Sequence, residues 1–152
     1  MFKVVFFSRS NFQGFYKDPL PTHALSNLVY EFSCYCGSGY VGKTTQTLMK
    51  RTRQHVPACV INYGKAIKNS DVEVFKRTKK FTSVLRAREN SSIAQHLVDN
   101  EQSLLNFNFD RFRIIARGRN HFHLDVMESI HITTKKPKIC KQLEFCYKLL
   151  LL

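Results

Sequence analysis

Two short stretches predict the central part of the fold: Leu28-Val29-Tyr30-Glu31-Phe32-Ser33-Cys34 and Gly39-Tyr40-Val41-Gly42-Lys43, which are joined by a turn that contains Cys36-Gly37-Ser38. In the first stretch apolar residues stand at every second position, which predicts a β-strand with one buried face. The glycines of the connection tolerate the positive φ that a tight reversal needs. The second stretch is therefore expected to return as an antiparallel strand, so that the two form a hairpin.

Helices and one more strand are predicted after the hairpin. Thr44 or Thr45 can cap a helix that runs to about His55, before Pro57. The further expected elements are a short helix capped by Asn90 or Ser91, a strand over residues 111–116, and a helix from Asn120 to about Ile132, ending before Pro137. This order predicts an α+β fold with a small three-stranded antiparallel sheet flanked by helices.

The domain boundaries follow from composition. Residues 1–25 contain Gly14, Pro19 and Pro21 and are interpreted as a lead-in arm or linker, although 3–7 can form a short strand. Residues 26–142 form the predicted domain, and 143–152 a C-terminal tail. Residues 60–90 hold eight Lys and Arg against three Asp and Glu, and they are predicted to be an exposed basic insert, partly helical.

Charge and cysteine content limit the class of protein. The chain has 152 residues, with 24 Lys and Arg against 11 Asp and Glu, a net charge of +13. Such a surface attracts polyanions, and nucleic acid is the expected partner. The apolar runs Val4–Phe7 and Leu149–Leu152 are too short for a secretory signal or a membrane span. Five cysteines, an odd number, favour free or metal-bound thiols in a reducing compartment, nuclear or cytoplasmic.

One motif suggests nucleotide binding. Residues 37–44, GSGYVGKT, match the phosphate-binding loop pattern GxxxxGK[ST] at every fixed position. That chemistry requires an open loop in a parallel sheet, followed by a second strand that ends in an acidic residue. Tyr40 and Val41 are instead typical of a strand, and the candidate second strand, 107–110, is short. A nucleotide-binding protein is the less favoured alternative.

The same residues, with others, resemble the GIY-YIG nuclease superfamily. Val29-Tyr30 and Tyr40-Val41-Gly42 correspond to the two name-giving motifs, although Leu28 stands where the family has glycine. Arg51, His55 and Glu128 follow in the family order. The likeness is greatest to the endonuclease domain at the C-terminus of Penelope-like retrotransposon polyproteins, and further phrases carry it: KDPLP at 17–21, SIAQHL at 92–97, MESI at 127–130 and CKQ at 140–142.

The resemblance implies a metal-dependent endonuclease that nicks DNA. One of Tyr30 and Tyr40 would help to take the proton from the attacking water, and Lys43 or the metal would supply the positive charge that a phenol needs to act as a base. Arg51 would hold the scissile phosphate. His55 would orient the water or assist proton transfer, and Glu128 would bind one Mg²⁺ or Mn²⁺.

The resemblance also implies a zinc site. Penelope-like nucleases carry two cysteines between the paired motifs and later histidines, and two thiolates with two imidazoles satisfy tetrahedral zinc. Here Cys34 and Cys36 are the candidate thiolates and His96 the third ligand, with His55 or His121 as the fourth. The later family histidine falls at Gln102. A C-x-C pair is also common as two ordinary thiols at the end of a strand.

Each candidate has a simpler interpretation. The tyrosines can be half-buried strand aromatics, Arg51 a solvated helix charge, and Glu128 a partner of Arg117. Cys140 stands nearest to the asparagine that often follows the catalytic glutamate, so catalysis is in question. A catalytically inactive nucleic-acid-binding remnant of the same fold is therefore the main alternative. The nuclease hypothesis requires the hairpin, the helix after it and the distant acidic helix to converge on one pocket.

Overall fold

The computed structural model describes residues 20–140. Three strands, seven α-helices and two 3-10 helices follow one another along this part of the chain. Their bounds, in chain order, are a 3-10 helix Thr22–Ala24, β1 Leu28–Ser33, β2 Gly39–Thr44, α1 Leu48–His55, α2 Ala58–Lys68, α3 Val72–Lys76, α4 Lys79–Asn90, α5 Ser92–Asp99, α6 Glu101–Leu105, a 3-10 helix Phe109–Arg111, β3 Phe112–Arg117 and α7 His121–Lys135. The predicted strand over 3–7, the N-terminal arm before residue 20 and the C-terminal tail lie outside the described residues.

The sheet has the order β2-β1-β3, and β1 pairs antiparallel with both neighbours. Tyr30 stands opposite Gly42 in β2 and opposite Ile114 in β3. The Cys34 amide donates to the Ser38 carbonyl at 2.8 Å and closes the hairpin, while Gly37 adopts a φ of 82°. A side chain at that φ would be strained, which explains the glycine. The predicted α+β fold with a three-stranded antiparallel sheet is confirmed.

The two faces of the sheet are covered by different helices. Leu28, Tyr30 and Phe32 point from β1 into a core shared with buried side chains of α1, α2, α4, α5 and α6. Val29 and Val41 point the other way and pack against Leu124 and Ile132 of α7. The strand alternation predicted from the sequence thus separates two cores. Helices α1 and α7 therefore pack against opposite faces of the sheet.

The prediction that residues 60–90 are partly helical is confirmed, but the prediction that they form an exposed insert is wrong. This segment forms most of α2, all of α3 and all of α4, and its Val60, Tyr63 and Val84 are buried in the larger core. The lysines and arginines of these helices face outward. Dense positive charge on the solvent face obscured an apolar stripe of ordinary helical spacing.

The predicted helix caps are confirmed in part. Ser91 accepts from the Ala94 amide at 3.2 Å and caps α5, and Asn120 accepts from the His123 amide at 2.8 Å and caps α7. The cap of α1 is Thr47, which accepts from the Lys50 amide, because Thr44 is still part of β2. Within residues 20–140 no helix is long and apolar enough to cross a bilayer.

Candidate active site

The hairpin places two tyrosines beside each other on one face of the sheet. The ring centroids of Tyr30 and Tyr40 lie 6.3 Å apart. Gly42, opposite Tyr30, leaves the space that both phenols fill: a Cβ there would lie 2.7 Å from Tyr40 Cε1 and 2.9 Å from Tyr30 Oη. Real Cβ atoms do not approach other atoms that closely. Glycine at this position is therefore a requirement of the paired phenols.

Helix α1 adds a histidine and an arginine to the tyrosine pair. Tyr30 Oη lies 2.6 Å from His55 Nε2, and Arg51 Nε donates to the same oxygen at 3.1 Å. The other ring nitrogen, His55 Nδ1, lies 3.1 Å from Ser91 Oγ. Residues 51 and 55 are one helical turn apart, so both side chains leave α1 toward β1. A continuous hydrogen-bonded chain thus runs from Arg51 through Tyr30 and His55 to Ser91.

These groups differ in their access to solvent. Tyr30 is 0% exposed and His55 only 7%. Tyr40 and Arg51 are half-buried and reach the surface. Tyr30 and His55 therefore form the inner part of the site, and Tyr40 and Arg51 form its outer part.

Glu128 lies at the free edge of β2, where it binds Lys43 twice. Glu128 Oε1 accepts from the Lys43 amide at 3.0 Å, and Oε2 lies 3.5 Å from Lys43 Nζ. Asp125, three residues earlier on α7, contacts the same ammonium, and His121 Nδ1 lies 3.1 Å from the other Asp125 oxygen. Glu128 is thus paired with Lys43, and the interpretation that it pairs with Arg117 is wrong.

The hydrogen-bonded residues around Tyr30 and the ion pairs around Glu128 lie on opposite faces of the sheet. They approach each other where β2 ends. A cavity of about 210 Å³ lies there, and its lining comes from β2, the turn before α1, α1 itself and α7: Lys43, Thr44, Thr45, Gln46, Arg51, His121 and Leu124. The Arg51 guanidinium acts electrostatically on Glu128, and the Glu128 charge acts on both tyrosines. The structure therefore brings the hairpin, α1 and α7 to one basic cavity.

Burial dominates the protonation of the inner groups. It raises the pKa of Tyr30, against opposing effects of Arg51, and it raises the pKa of Tyr40. Burial, assisted by the nearby Arg51 charge, lowers the pKa of His55 to about 4. Burial also raises the pKa of Glu128, although Lys43 and Arg51 oppose this. At neutral pH both phenols are protonated and His55 is a neutral imidazole.

A second cluster lies at the hairpin turn. His96 Nε2, from α5, is 3.2 Å from Cys34 Sγ and 3.3 Å from Cys36 Sγ. Among residues 20–140 these three donors alone gather in a metal-sized group. The suggestion that His55 or His121 supplies a fourth ligand is wrong, because His55 binds Tyr30 and Ser91 and His121 binds Asp125. A hydrogen bond from the nearby Ser38 hydroxyl is the largest of several effects that lower the pKa of Cys36 to about 6.

Two residues of the site were not predicted. Ser91 was expected only to cap a helix, and its contact with His55 joins residues 36 positions apart, for which no local pattern exists. Asp125 could have been identified, because its i, i+3 spacing to Glu128 puts both carboxylates on one side of a helix. Lys43, expected to help a tyrosine ionise, lies instead against the two acids.

The phosphate-binding loop that the GxxxxGK[ST] pattern suggested is not formed. Residues Gly39–Thr44 are an extended strand in an antiparallel sheet, and Lys43 Nζ is held by Asp125 and Glu128. The backbone amides therefore do not form the cradle that phosphate binding by that motif requires. The nucleotide-binding alternative has lost its structural basis.

The chain matches no protein-family model, no curated protein and no solved structure in the comparisons that were made. The geometry at the end of β2 is therefore the basis on which a function can be assigned.

Proposed function

We propose that this protein is a GIY-YIG-type endonuclease domain of retroelement origin, which nicks DNA by metal-dependent hydrolysis of a phosphodiester bond. The single observation that supports this most is that Arg51 and Lys43 line one basic cavity, with Glu128 bound to Lys43 behind them. The Arg51 guanidinium can bind a phosphate in this cavity, and the Glu128 carboxylate, close enough to interact electrostatically with Arg51, can bind a cation. The net charge of +13 supports a polyanionic substrate.

Arg51 is the proposed phosphate ligand. Its Nε is engaged by Tyr30, and Nη1 donates to Gln54 at 3.3 Å, so the guanidinium is held at the cavity wall. A positioned guanidinium stabilises the extra negative charge of a phosphoryl transition state without reorganising. Binding to Tyr30 thus gives Arg51 the fixed geometry that the role requires.

Tyr40, Tyr30 and His55 are the proposed proton path. Tyr40 is half-buried, and Tyr30 is completely buried beside it, with 6.3 Å between the ring centroids. Because Arg51 donates to the Tyr30 oxygen, the phenolic proton of Tyr30 is free to point at His55 Nε2. A neutral imidazole can accept a hydrogen bond from it, and His55 is neutral at pH 7. His55 would then donate from Nδ1 to Ser91 Oγ, which fixes the tautomer.

Glu128 is the proposed ligand for Mg²⁺ or Mn²⁺. Hard divalent cations prefer carboxylate oxygens, and Glu128 Oε2 already faces a cation, the Lys43 ammonium. The Lys43 amide orients the carboxylate through the other oxygen. The bound metal would supply Lewis-acid polarisation of the phosphate.

One observation favours a second candidate, the non-catalytic nucleic-acid-binding domain. Tyr30 is completely buried, and Lys43 holds both carboxylates of α7. A domain that had lost cleavage could keep these contacts purely for stability. Arg51 and the basic surface would still bind nucleic acid in that case.

A plasmid-nicking assay with Mg²⁺ or Mn²⁺ tests the proposal. We expect conversion of supercoiled to nicked plasmid by the wild type and its loss in Arg51→Ala and in Glu128→Gln. Removal of one charge-stabilising donor typically lowers the rate by about 10²–10³. Both variants should still bind duplex DNA.

Two matched controls separate catalysis from charge. Arg53→Ala removes an exposed arginine from the same helix, and Glu31→Gln removes an acid that also pairs with a lysine, Lys135, at 2.6 Å. At DNA concentrations that saturate binding, both controls should nick at the wild-type rate. Wild-type protein that binds DNA but never nicks it would select the second candidate, and nicking that survives both site variants would overturn the assigned site.

A further inference from the structure

His121, the first residue of α7, lies on the wall of the cavity at the end of β2. Its Nδ1 is 3.1 Å from one oxygen of Asp125, a helical turn later, and the other Asp125 oxygen contacts the Lys43 ammonium. The Asp125 carboxylate is thus held from both sides, and it fixes the direction of the His121 ring. The proposed roles of Arg51 and Glu128 do not involve this pair.

The two members of the pair differ in their access to water. The His121 side chain is 72% exposed, whereas the Asp125 side chain is 21% exposed. A carboxylate that accepts a hydrogen bond from Nδ1 leaves Nε2 as the ring nitrogen that can transfer a proton, and it stabilises the imidazolium. Because the ring is exposed, it can recover a proton from bulk water after each turnover. The pair therefore has the properties of a general acid.

The position of His121 relative to Arg51 determines which side of a bound phosphate it would face. Arg51 reaches the cavity from α1, and the proposed proton path through Tyr30 and His55 lies on the same face of the sheet. His121 reaches the cavity from α7, which packs against the other face. In phosphoryl transfer the attacking and leaving oxygens lie roughly in line, on opposite sides of phosphorus. With water attacking from the α1 side, the leaving oxygen points toward His121.

We propose that His121, positioned by Asp125, is the general acid that protonates the leaving oxygen of the cleaved phosphodiester, an inference that rests on the proposed nuclease function. The water oxygen forms its bond to phosphorus, and loses a proton on the α1 side, as the bond from phosphorus to the bridging oxygen breaks. The departing oxygen keeps the electron pair and takes the proton from His121 Nε2, so that a hydroxyl and a phosphomonoester result. His121 is then a catalytic residue, and Asp125 is a positioning residue.

A duplex with sulfur in place of the leaving oxygen tests the acid role. The bond that the wild type nicks is first located by sequencing, and the same duplex is then made with a bridging phosphorothiolate there, because a thiolate departs without needing a proton. Both duplexes are cut with Mn²⁺, which accepts a sulfur ligand more readily than Mg²⁺ does. At saturating protein we expect His121→Gln to lower the rate on the oxygen duplex by about 10²–10⁴. The rate on the sulfur duplex should be nearly unchanged.

Three further variants separate the acid role from other effects. Asp125→Asn should show the same pattern as His121→Gln with a smaller loss, whereas a merely structural role would slow both duplexes alike. Arg51→Ala should slow both duplexes, because the charge on the phosphate must be stabilised with either leaving atom. His123→Gln, in the same turn of α7 but outside the lining of the cavity, should leave both rates unchanged.

Binding without metal gives a readout that does not depend on cleavage. His121→Gln should bind the oxygen duplex with nearly wild-type affinity by fluorescence anisotropy, because a general acid acts on the transition state. Equal slowing of both duplexes by His121→Gln, or an unchanged rate on the oxygen duplex, would overturn the acid role and leave the nuclease standing. A wild type that nicks no duplex at all would overturn the nuclease itself, and the role of His121 with it.

Discussion

At the scale of single residues, Gly42 is the position in the site that leaves the least space for a larger side chain. Gly42→Ala would place a methyl group within 3.0 Å of both tyrosines. We expect a loss of stability of about 1–3 kcal/mol, because the phenols must leave their positions against His55 and Arg51. Urea denaturation followed by circular dichroism measures it.

The neighbouring strand residue Gly39 provides the control. A Cβ at Gly39 would have no neighbour closer than 3.8 Å, so Gly39→Ala should change stability by less than about 0.5 kcal/mol. Equal effects of the two substitutions would show that the phenols do not need the space at Gly42.

His55 predicts how stability depends on pH. Its pKa is about 4 in the folded protein and 6.5 as the ordinary value, so the unfolded chain binds the proton more readily. The contribution of the neutral imidazole is therefore complete above pH 6.5 and is lost as the pH falls from 6.5 toward 4, by roughly 3 kcal/mol in total. Chemical denaturation at pH 7.5 and pH 5 measures the difference.

The His55→Gln variant separates the contribution of His55 from that of other titrating groups. Glu128 is one of these: because its pKa is raised, its protonation stabilises the folded protein as the pH falls, the opposite of what His55 does. The variant should lose less stability between pH 7.5 and pH 5 than the wild type. Arg51, Tyr30 and Tyr40 face the ring but do not change charge in this range. A wild-type curve parallel to that of the variant would contradict the low pKa of His55.

At the scale of elements, α5 connects the core to the candidate site through its first turn. Ser91→Ala removes both the N-cap bond to the Ala94 amide and the contact with His55 Nδ1. We expect a loss of about 1–2 kcal/mol, since a cap alone contributes about 1 kcal/mol. Thermal or urea unfolding measures it. Ser91→Thr keeps the hydroxyl and should retain most of the stability; an alanine variant as stable as the threonine variant would refute this role.

At the scale of the whole molecule, the charge of +13 predicts salt-dependent binding of nucleic acid. The logarithm of the affinity for duplex DNA should fall linearly with the logarithm of salt concentration, by about 0.9 for each phosphate neutralised. Lys50 and Arg53 are exposed and lie close to Arg51 in α1. Their joint replacement by glutamine should therefore lower the magnitude of this slope by the amount expected for about two lost phosphate contacts. Fluorescence anisotropy at several salt concentrations measures it.

The pair Lys65→Gln with Lys68→Gln removes the same charge from exposed positions of α2 and serves as the comparison. We expect this pair to reduce the slope less than the α1 pair. An equal reduction would mean that DNA does not bind preferentially around Arg51.

Much of this protein could be predicted from local sequence, because alternation, turn glycines and cap residues act over a few positions. Leu28, Tyr30 and Phe32 predicted the first strand, Cys36 to Gly39 its turn, and Ser91 and Asn120 two helix starts. Residues 60–90 were harder to predict, because their dense positive charge obscures the apolar positions Val60 and Tyr63 on α2 and Val84 on α4.

Tertiary structure alone decided which chemical groups meet. The antiparallel register set Tyr30 opposite Gly42, and packing of α7 on the second face carried Glu128 to Lys43. Contacts between His55 and Ser91, or between Cys34 and His96, join residues that share no local pattern. Such contacts depend on how helices pack over a sheet, and packing is a property of the complete core. Short-range preferences therefore determined the elements of this protein, and long-range burial determined its sites.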